Sequence, residues 1–214
     1  MNRKSIILII GSVIFLFLLL FGVYKLLNGG GNYYEKVAFV SSSDHIKWSP
    51  NKKHVLITYS DLQCPACKVF EEMFTSFESS SSPDFDITKK VTFVYRHFPL
   101  YQIHEHAFDT AYAVEAASKQ DKFYQMLNAV FMKQSKLDNT KDINAFISQT
   151  ANKIGLDSKQ LLSDMKTKGV VDKVQNDLSS GEQANINATP TFFLDGKKLE
   201  PMIPNDLKAL LKSL

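Results

Sequence analysis

ITYSDLQCPAC, residues 57–67, is the stretch that decides the fold. It contains Cys64 and Cys67, the two cysteines of the 214-residue chain, and it joins a β-branched run to a run with helical spacing. A secreted domain held together by disulfides carries more cysteines at wider spacing, so this pair is not a structural framework. We interpret the two cysteines as reactive groups.

The spacing of the two cysteines predicts thiol–disulfide chemistry at the start of a helix. Residues three apart on a helix lie on the same side, close enough for a disulfide. Cys64 at the helix N-terminus would meet the positive end of the helix dipole, which lowers its pKa below the free value of about 8.5. Pro65 suits the first turn, because its missing N–H had no intrahelical partner. We therefore predict Cys64 as the exposed nucleophile, Cys67 as the less exposed resolving thiol, and Pro65-Ala66 as the active-site dipeptide between them.

A zinc site is the alternative interpretation of a C-x-x-C pair. Such a site needs two further ligands, and the chain has no second cysteine pair. His104 and His106 are closely spaced, but residues two apart on a helix point to different faces. The sequence therefore predicts neither a metal nor a cofactor.

The segments around the cysteines predict an α/β fold. His54–Tyr59 and Val91–Tyr95 are apolar on both faces, as strands covered on two sides would be. Between them, Cys67, Phe70 and Phe74 fall on one helical face. Strand, helix and strand in this order make a βαβ unit, in which the two strands are parallel.

The rest of the chain is predicted to be a helical block followed by a β-hairpin and a last helix. Apolar residues keep a helical period over some eighty residues, about 104–185. Thr191–Leu194, the turn Asp195-Gly196 and Lys197–Leu199 then carry the strongest short signal for a hairpin. The order of elements is β-α-β, a helical insertion, then β-β-α.

Three separated motifs resemble those of DsbA-like thioredoxin-fold proteins. They are residues 57–67, Tyr95–Leu100 followed by His104 and Ala107, and Ala188–Phe192. The resemblance covers roughly Asp44 to the C-terminus and implies a thioredoxin fold with an inserted helical domain. It also implies that the family activity is thiol oxidation of exported proteins.

The third motif resembles the loop that presents a cis-proline opposite the cysteines. The resemblance makes Thr189 and Pro190 substrate-binding residues, because this loop leaves the Thr189 backbone free to pair with an extended substrate segment. A trans proline at the start of a strand is the alternative.

Two positions depart from the pattern of the family. Some thioredoxin-fold enzymes carry a buried carboxylate six residues before the first cysteine, where this chain has Thr58, so proton transfer at Cys67 needs water or another group. Strong oxidants of the DsbA type often have a histidine between the cysteines, where this chain has Ala66. His97 and His104 are not included among the predicted site residues.

The first residues predict a membrane anchor. Residues 5–24 carry no charge, and a helix of roughly 20 apolar residues crosses a bilayer. A cleaved signal peptide is the alternative, but its apolar region is usually about 7–15 residues and ends in small residues. Arg3 and Lys4 favour a cytoplasmic N-terminus. The predicted organisation is an anchor at 1–27, a linker at 28–43 and a DsbA-like domain at 44–214.

Together these features predict a single-pass protein of a bacterial-type plasma membrane, with its catalytic domain outside the cytoplasm. It would introduce disulfides into thiol-containing exported proteins and be recycled by a membrane redox partner. A reductase or isomerase with the same residues, and a thiol-dependent chaperone or docking module, are the alternatives. Nucleic acid is excluded as a partner, because the net charge of +3 is small and the charges are interspersed.

Overall fold

The computed structural model describes residues 3–27, 37, 39–51, 53–200 and 202–214. The strands are β1 His45–Trp48, β2 His54–Ser60, β3 Val91–His97, β4 Thr191–Leu194 and β5 Lys197–Lys198. The helices are α1 Arg3–Leu27, α2 Pro65–Ser76, α3 Phe85–Lys90, α4 Ala107–Ala117, α5 Phe123–Met132, α6 Gln134–Leu137, α7 Ile143–Lys153, α8 Ser158–Asp164, α9 Lys168–Gln183 and α10 Pro204–Lys212.

The five strands form one mixed sheet in the order β1-β3-β2-β4-β5. β2 and β3 are parallel and are joined through α2, so the predicted βαβ unit is confirmed. β4 runs antiparallel to β2, and β1 runs antiparallel to β3. This order places the end of β2, and with it the start of α2, in the middle of the sheet.

Strand β1 was not predicted, and its side chains explain why. The residues His-Ile-Lys-Trp alternate as if Ile46 were to be buried, yet Ile46 is exposed while the Lys47 side chain is only 9% exposed. Lys47 lies inside because its ammonium group forms ion pairs with Glu71 of α2 and with Glu78, just after that helix. Ion pairs between residues so far apart in the chain leave no local sequence pattern.

The two faces of the sheet are covered by two different hydrophobic cores. Leu56 and Phe93 belong to the larger core, which also contains apolar residues of α2, α10 and the helical block. Ile57 and Val94, the next residues along the same strands, belong to a smaller core with Leu178 of α9. The alternation follows from the two-residue period of a strand and confirms that β2 and β3 are buried on both sides.

The helices α4 to α9 occupy residues 107–183, between β3 and β4. Gly155 has a φ of +73° directly after the C-cap of α7, a backbone conformation that favours glycine at the end of a helix. Asp157 caps the next helix, α8, because its carboxylate accepts from the amides of Lys159 and Gln160.

The predicted hairpin is confirmed. Asp195 and Gly196 have φ values of 48° and 83°, the positive pair that a tight type I′ turn requires. The Asp195 carboxylate also accepts a hydrogen bond of 2.7 Å from the Val55 amide, which ties the turn to β2.

The structure describes only part of the N-terminal region for which an anchor and a linker were predicted. Of the predicted linker, residues 28–36 and 38 lie outside the described residues. α1 is a single helix of 25 residues. Within the described part of the chain, no helix is both long enough and apolar enough to cross a membrane. The predicted anchor is thus not confirmed.

Candidate active site

Cys64 is the N-cap of α2. Its backbone is extended, with φ −73° and ψ 118°, and Pro65 occupies the first position of the helix. The Cys64 sulfur accepts a hydrogen bond from the Cys67 amide at 3.3 Å, which satisfies one of the free N–H groups of the first turn. Both cysteines are free thiols. The predicted start of the helix, with Pro65 in its first turn, is therefore what the structure has.

Both sulfurs are shielded, which differs in part from the expectation. Cys67 is 2% exposed and is the less exposed of the two, as predicted. Cys64, however, is only 6% exposed, although an open sulfur was expected. The reason is the 188–192 loop, since the Cys64 thiol donates to the Thr189 carbonyl at 3.3 Å. This contact joins residues 125 apart, which no local pattern records.

The loop opposite the cysteines has the predicted conformation. The Thr189–Pro190 peptide bond is cis. A cleft of about 550 Å³ runs beside it, lined among others by Ala66, Phe70, Thr189, Pro190, Phe192 and Met202. Five predicted site residues therefore come together: Cys64 contacts both Cys67 and Thr189, and Ala66 and Pro190 line the same cleft. Pro65 is exposed at the helix start.

The surroundings of Cys64 favour its thiolate. A hydrogen bond from the Cys67 thiol is the largest influence and lowers the pKa of Cys64; burial opposes it, and donors from Thr189 and from the Cys67 amide lower it further, to about 6. The negative charge of Asp61 acts in the opposite direction.

The surroundings of Cys67 favour its thiol. Burial raises the pKa of Cys67 well above its usual value, and the neighbouring Cys64 sulfur raises it further. Hydrogen bonds from the Asp61 backbone and the Ser60 hydroxyl offset only part of this. At neutral pH the reduced site therefore holds a Cys64 thiolate and a Cys67 thiol that donates to it.

Two glutamines fasten the active-site loop to the helical block. The Gln134 amide donates to the carbonyls of Leu62 and Cys64, at 2.8 and 3.0 Å. Gln63 accepts from the His106 amide at 2.6 Å and donates to Asp138 at 3.2 Å. Sequence reasoning missed both, because a glutamine at a helix or loop position is usually solvated surface and its partners here lie far along the chain.

Asp61 fastens the other side of the loop. Its carboxylate accepts from the amides of Gln63 and Leu100, both at 2.6 Å, and lies 3.1 Å from Nδ1 of His104. His97 lies elsewhere, 3.4 Å from the carboxylate of Glu115. Asp61 follows a strand and precedes Cys64 by three residues, which was the one available signal for it.

Behind Cys67, α2 buries a carboxyl group. Burial raises the pKa of Glu71 to about 7, although the Lys47 ammonium at 3.3 Å lowers it. Thr58, which stands at the position where some thioredoxin-fold enzymes carry a buried carboxylate, is itself buried in β2. Asp61 is thus the carboxylate whose charge acts on Cys64, whereas Glu71 lies one helical turn beyond Cys67 and pairs with Lys47. Within the described residues, no cluster of histidine, cysteine and carboxylate side chains is suited to hold a metal ion.

Comparisons with known proteins agree with this geometry. A family model described as thioredoxin matches residues 42–213. A Na(+)/H(+) antiporter, NhaA 1 of Mycobacterium sp. (strain KMS), is 33% identical over 177 residues, which are 80% of this chain and 26% of that protein. The chain thus spans about a quarter of the length of the curated relatives it matches.

Two solved structures show the same fold. Alpha-DsbA1 of Wolbachia pipientis is 21% identical with a TM-score of 0.70, and the match covers 86% of this chain and 96% of that one. BdbD from Bacillus subtilis, in its oxidised form, is 18% identical with a TM-score of 0.66, and the match covers 80% and 92%. The predicted resemblance is confirmed: the chain belongs to the thioredoxin family and has the fold of the DsbA-like structures.

Proposed function

We propose that the protein oxidises the thiols of exported proteins to disulfides. In its disulfide form, a substrate thiolate attacks the Cys64 sulfur, and Cys67 leaves and takes up a proton. The second substrate thiol then attacks the substrate sulfur of the mixed disulfide and releases Cys64 as a thiolate. The substrate loses two electrons, which the Cys64–Cys67 disulfide gains.

The acidity of Cys64 carries this proposal. A dithiol pair is a strong oxidant when its reduced form is stabilised, and a stable Cys64 thiolate does this. The pKa of Cys64 is lowered to about 6, chiefly through the hydrogen bond from Cys67. The same acidity makes Cys64 a good leaving group when the mixed disulfide is resolved.

The buried Cys67 supports the assignment of roles. A thiol whose pKa is raised by burial is a poor nucleophile at neutral pH, and the substrate would meet Cys64 first because it lies toward the Thr189–Pro190 cleft. We propose that Thr189 and Pro190 bind an extended stretch of the substrate along this cleft, by pairing with its backbone.

The proposal includes a location outside the cytoplasm and a membrane partner that reoxidises the dithiol. Protein disulfides persist in oxidising compartments, which favours this location for an oxidase. The uncharged residues 5–24 support export, with the N-terminus inside and the catalytic domain outside. N-terminal sequencing of the native protein distinguishes a retained anchor from a signal peptide: a mature start near Gly29 would show cleavage.

The reduction potential tests the direction of the reaction. Equilibration with glutathione buffers should give a value roughly between −120 and −230 mV, the range from DsbA to the glutaredoxins. A value near about −270 mV, like that of thioredoxin, would make the protein a reductase. Resting redox state is the second readout: an oxidase is recovered with its cysteines oxidised, and a reductase or isomerase with them reduced. Chaperone activity that survives Cys64→Ser would favour the docking alternative.

A further inference from the structure

We propose that Asp61 and His104 form a charge-compensated couple that tunes the Cys64 thiolate. His104 offsets the negative charge of Asp61, which otherwise opposes the thiolate, so both act as positioning residues for thiol–disulfide exchange. The inference rests on the proposed function and adds to it the groups that set its strength.

The first observation is that a carboxylate is fully buried beside the active-site helix. The Asp61 side chain is 0% exposed. Its two oxygens accept from the amides of Gln63 and Leu100, both at 2.6 Å. Backbone amides are neutral dipoles, so they solvate this charge without cancelling it. A buried charge ordinarily requires an opposite one nearby.

His104 is placed to supply that charge. Its Nδ1 lies 3.1 Å from Oδ2 of Asp61, while 17% of its side chain is exposed. A single turn brings the ring there, because the Leu100 carbonyl accepts from the His104 amide at 3.0 Å. Nδ1 is buried and has no aligned hydrogen-bond partner among the described residues, so the contact with Asp61 is one of charge and proximity.

The couple is linked directly to both cysteines. The Asp61 carbonyl accepts from the Cys64 amide at 3.2 Å, and the Asp61 carboxylate charge raises the pKa of Cys64. The backbone of the same residue hydrogen-bonds to Cys67 and lowers the pKa of that thiol. Asp61 is therefore an anion adjacent to the site where a second anion must form. A positive charge that offsets the Asp61 carboxylate therefore makes the Cys64 thiolate easier to form.

Two single variants should shift Cys64 in opposite directions. Asp61→Asn removes the opposing charge, so the pKa of Cys64 should fall and the potential should become more oxidising. His104→Gln removes the compensating charge, so the pKa of Cys64 should rise and the potential should become more reducing. We expect the pKa of Cys64 to change by about one unit in either direction, which is the effect of one charge acting over several ångströms of protein. Both are read from thiolate titration of the reduced protein and from glutathione equilibration.

The double variant and a matched control complete the test. In Asp61→Asn/His104→Gln the effect of losing His104 should disappear, because no carboxylate is left to compensate. His54→Gln is the control, since His54 lies at the opposite end of β2, where it pairs with Asp195, and the variant should leave Cys64 unchanged. Circular dichroism and thermal melts verify that each variant is folded.

Shifts of the same sign, no shift in either single variant, or a His104 effect that persists in the double variant would each overturn the couple. Loss of folding in Asp61→Asn leaves His104→Gln and its control as the deciding pair. These outcomes are independent of the wild-type potential, so a reducing wild-type value would contradict the proposed oxidase without affecting the sign test.

Discussion

The pKa values of acidic groups shift in opposite directions at the N-terminus of α2 and on the buried face of the same helix, one to two turns further on. At the N-terminus, donors from Cys67 and Thr189 lower the pKa of Cys64 to about 6. On the buried face, burial raises the pKa of Cys67 well above its usual value and that of Glu71 to about 7. The position of a group on one helix therefore decides whether it is charged, because the N-terminus offers hydrogen-bond donors and the buried face offers mainly apolar neighbours.

The largest effects are expected from replacing each of the two cysteines in turn. Cys64→Ser should reduce thiol exchange to the background, because the acidic nucleophile is gone. Cys67→Ser should still react but should stop at a mixed disulfide on Cys64, since no resolving thiol remains. Incubation with a glutathione disulfide and mass spectrometry of the product measure both. An adduct that forms readily on Cys67 in Cys64→Ser would reverse the assignment.

The buried face makes a prediction about stability and pH. The folded pKa of Glu71, about 7, lies above its usual 4.5, so the folded state binds more protons than the unfolded state between these values. Stability should therefore fall as the pH rises from 4.5 to about 7, by on the order of 3 kcal/mol in total. Glu71→Gln should remove this loss and be more stable than the wild type above pH 7, as measured by urea unfolding across the pH range.

Glu115 is the matched control for that experiment, because its shift has the opposite sign. Burial acts to raise the pKa of Glu115, but hydrogen bonds from His45 and His97 outweigh it and hold the value at about 2. Its stabilisation should be present above its usual 4.5 and lost as the pH falls toward 2, so Glu115→Gln should be destabilised at neutral pH. Equal pH profiles for the two variants would contradict the comparison.

A smaller effect is expected from the bonds that hold the helix N-terminus. Gln134→Ala leaves the buried carbonyls of Leu62 and Cys64 without this donor and should cost about 1–3 kcal/mol of stability. Gln175→Ala removes an exposed glutamine that donates to Tyr112, and it should stay within about 0.5 kcal/mol of the wild type. Denaturant unfolding compares them. Equal losses would mean that the contact to the active-site loop contributes nothing special.

The smallest effect is expected at the dipeptide between the cysteines. Ala66 is exposed and donates nothing to Cys64 from its side chain. Ala66→His should raise the reduction potential by about 30 mV, which corresponds to one favourable thiolate contact of ~1.4 kcal/mol. Ala66→Leu controls for size alone and should leave the potential near the wild-type value. A histidine variant that is less oxidising than the leucine variant would contradict the role given to thiolate stabilisation.

The sequence predicted the parts of the site that depend on neighbouring residues. Helix α2, its cap at Cys64 and Pro65 in its first turn follow from spacing and from the chemistry of a helix end. The parallel pair β2 and β3 follows from two apolar runs around one helix. The 188–192 loop was placed by resemblance to a family motif, not by any local rule.

The sequence did not predict what depends on contacts between distant segments. Burial of Cys64 requires Thr189, and the fastening of the active-site loop requires Gln134 and Leu100. The buried carboxyl of Glu71 lies beside Lys47, which comes from a strand whose hydrophobic alternation suggests the reverse orientation. In each case the fold brings together residues that are distant in the chain, so the sequence around a polar residue does not indicate its partner.

The pH titration of the two thiols in the reduced wild-type protein tests the central claim most directly. Alkylation rates of Cys64 and Cys67 would be followed separately against pH by mass spectrometry, with the ultraviolet absorbance of the thiolate as a second readout. We expect Cys64 to titrate first, with a pKa of about 6, while Cys67 stays protonated and unreactive because burial raises its pKa well above the usual range. A Cys64 titration near the free-thiol value of about 8.5, or faster labelling of Cys67, would contradict it.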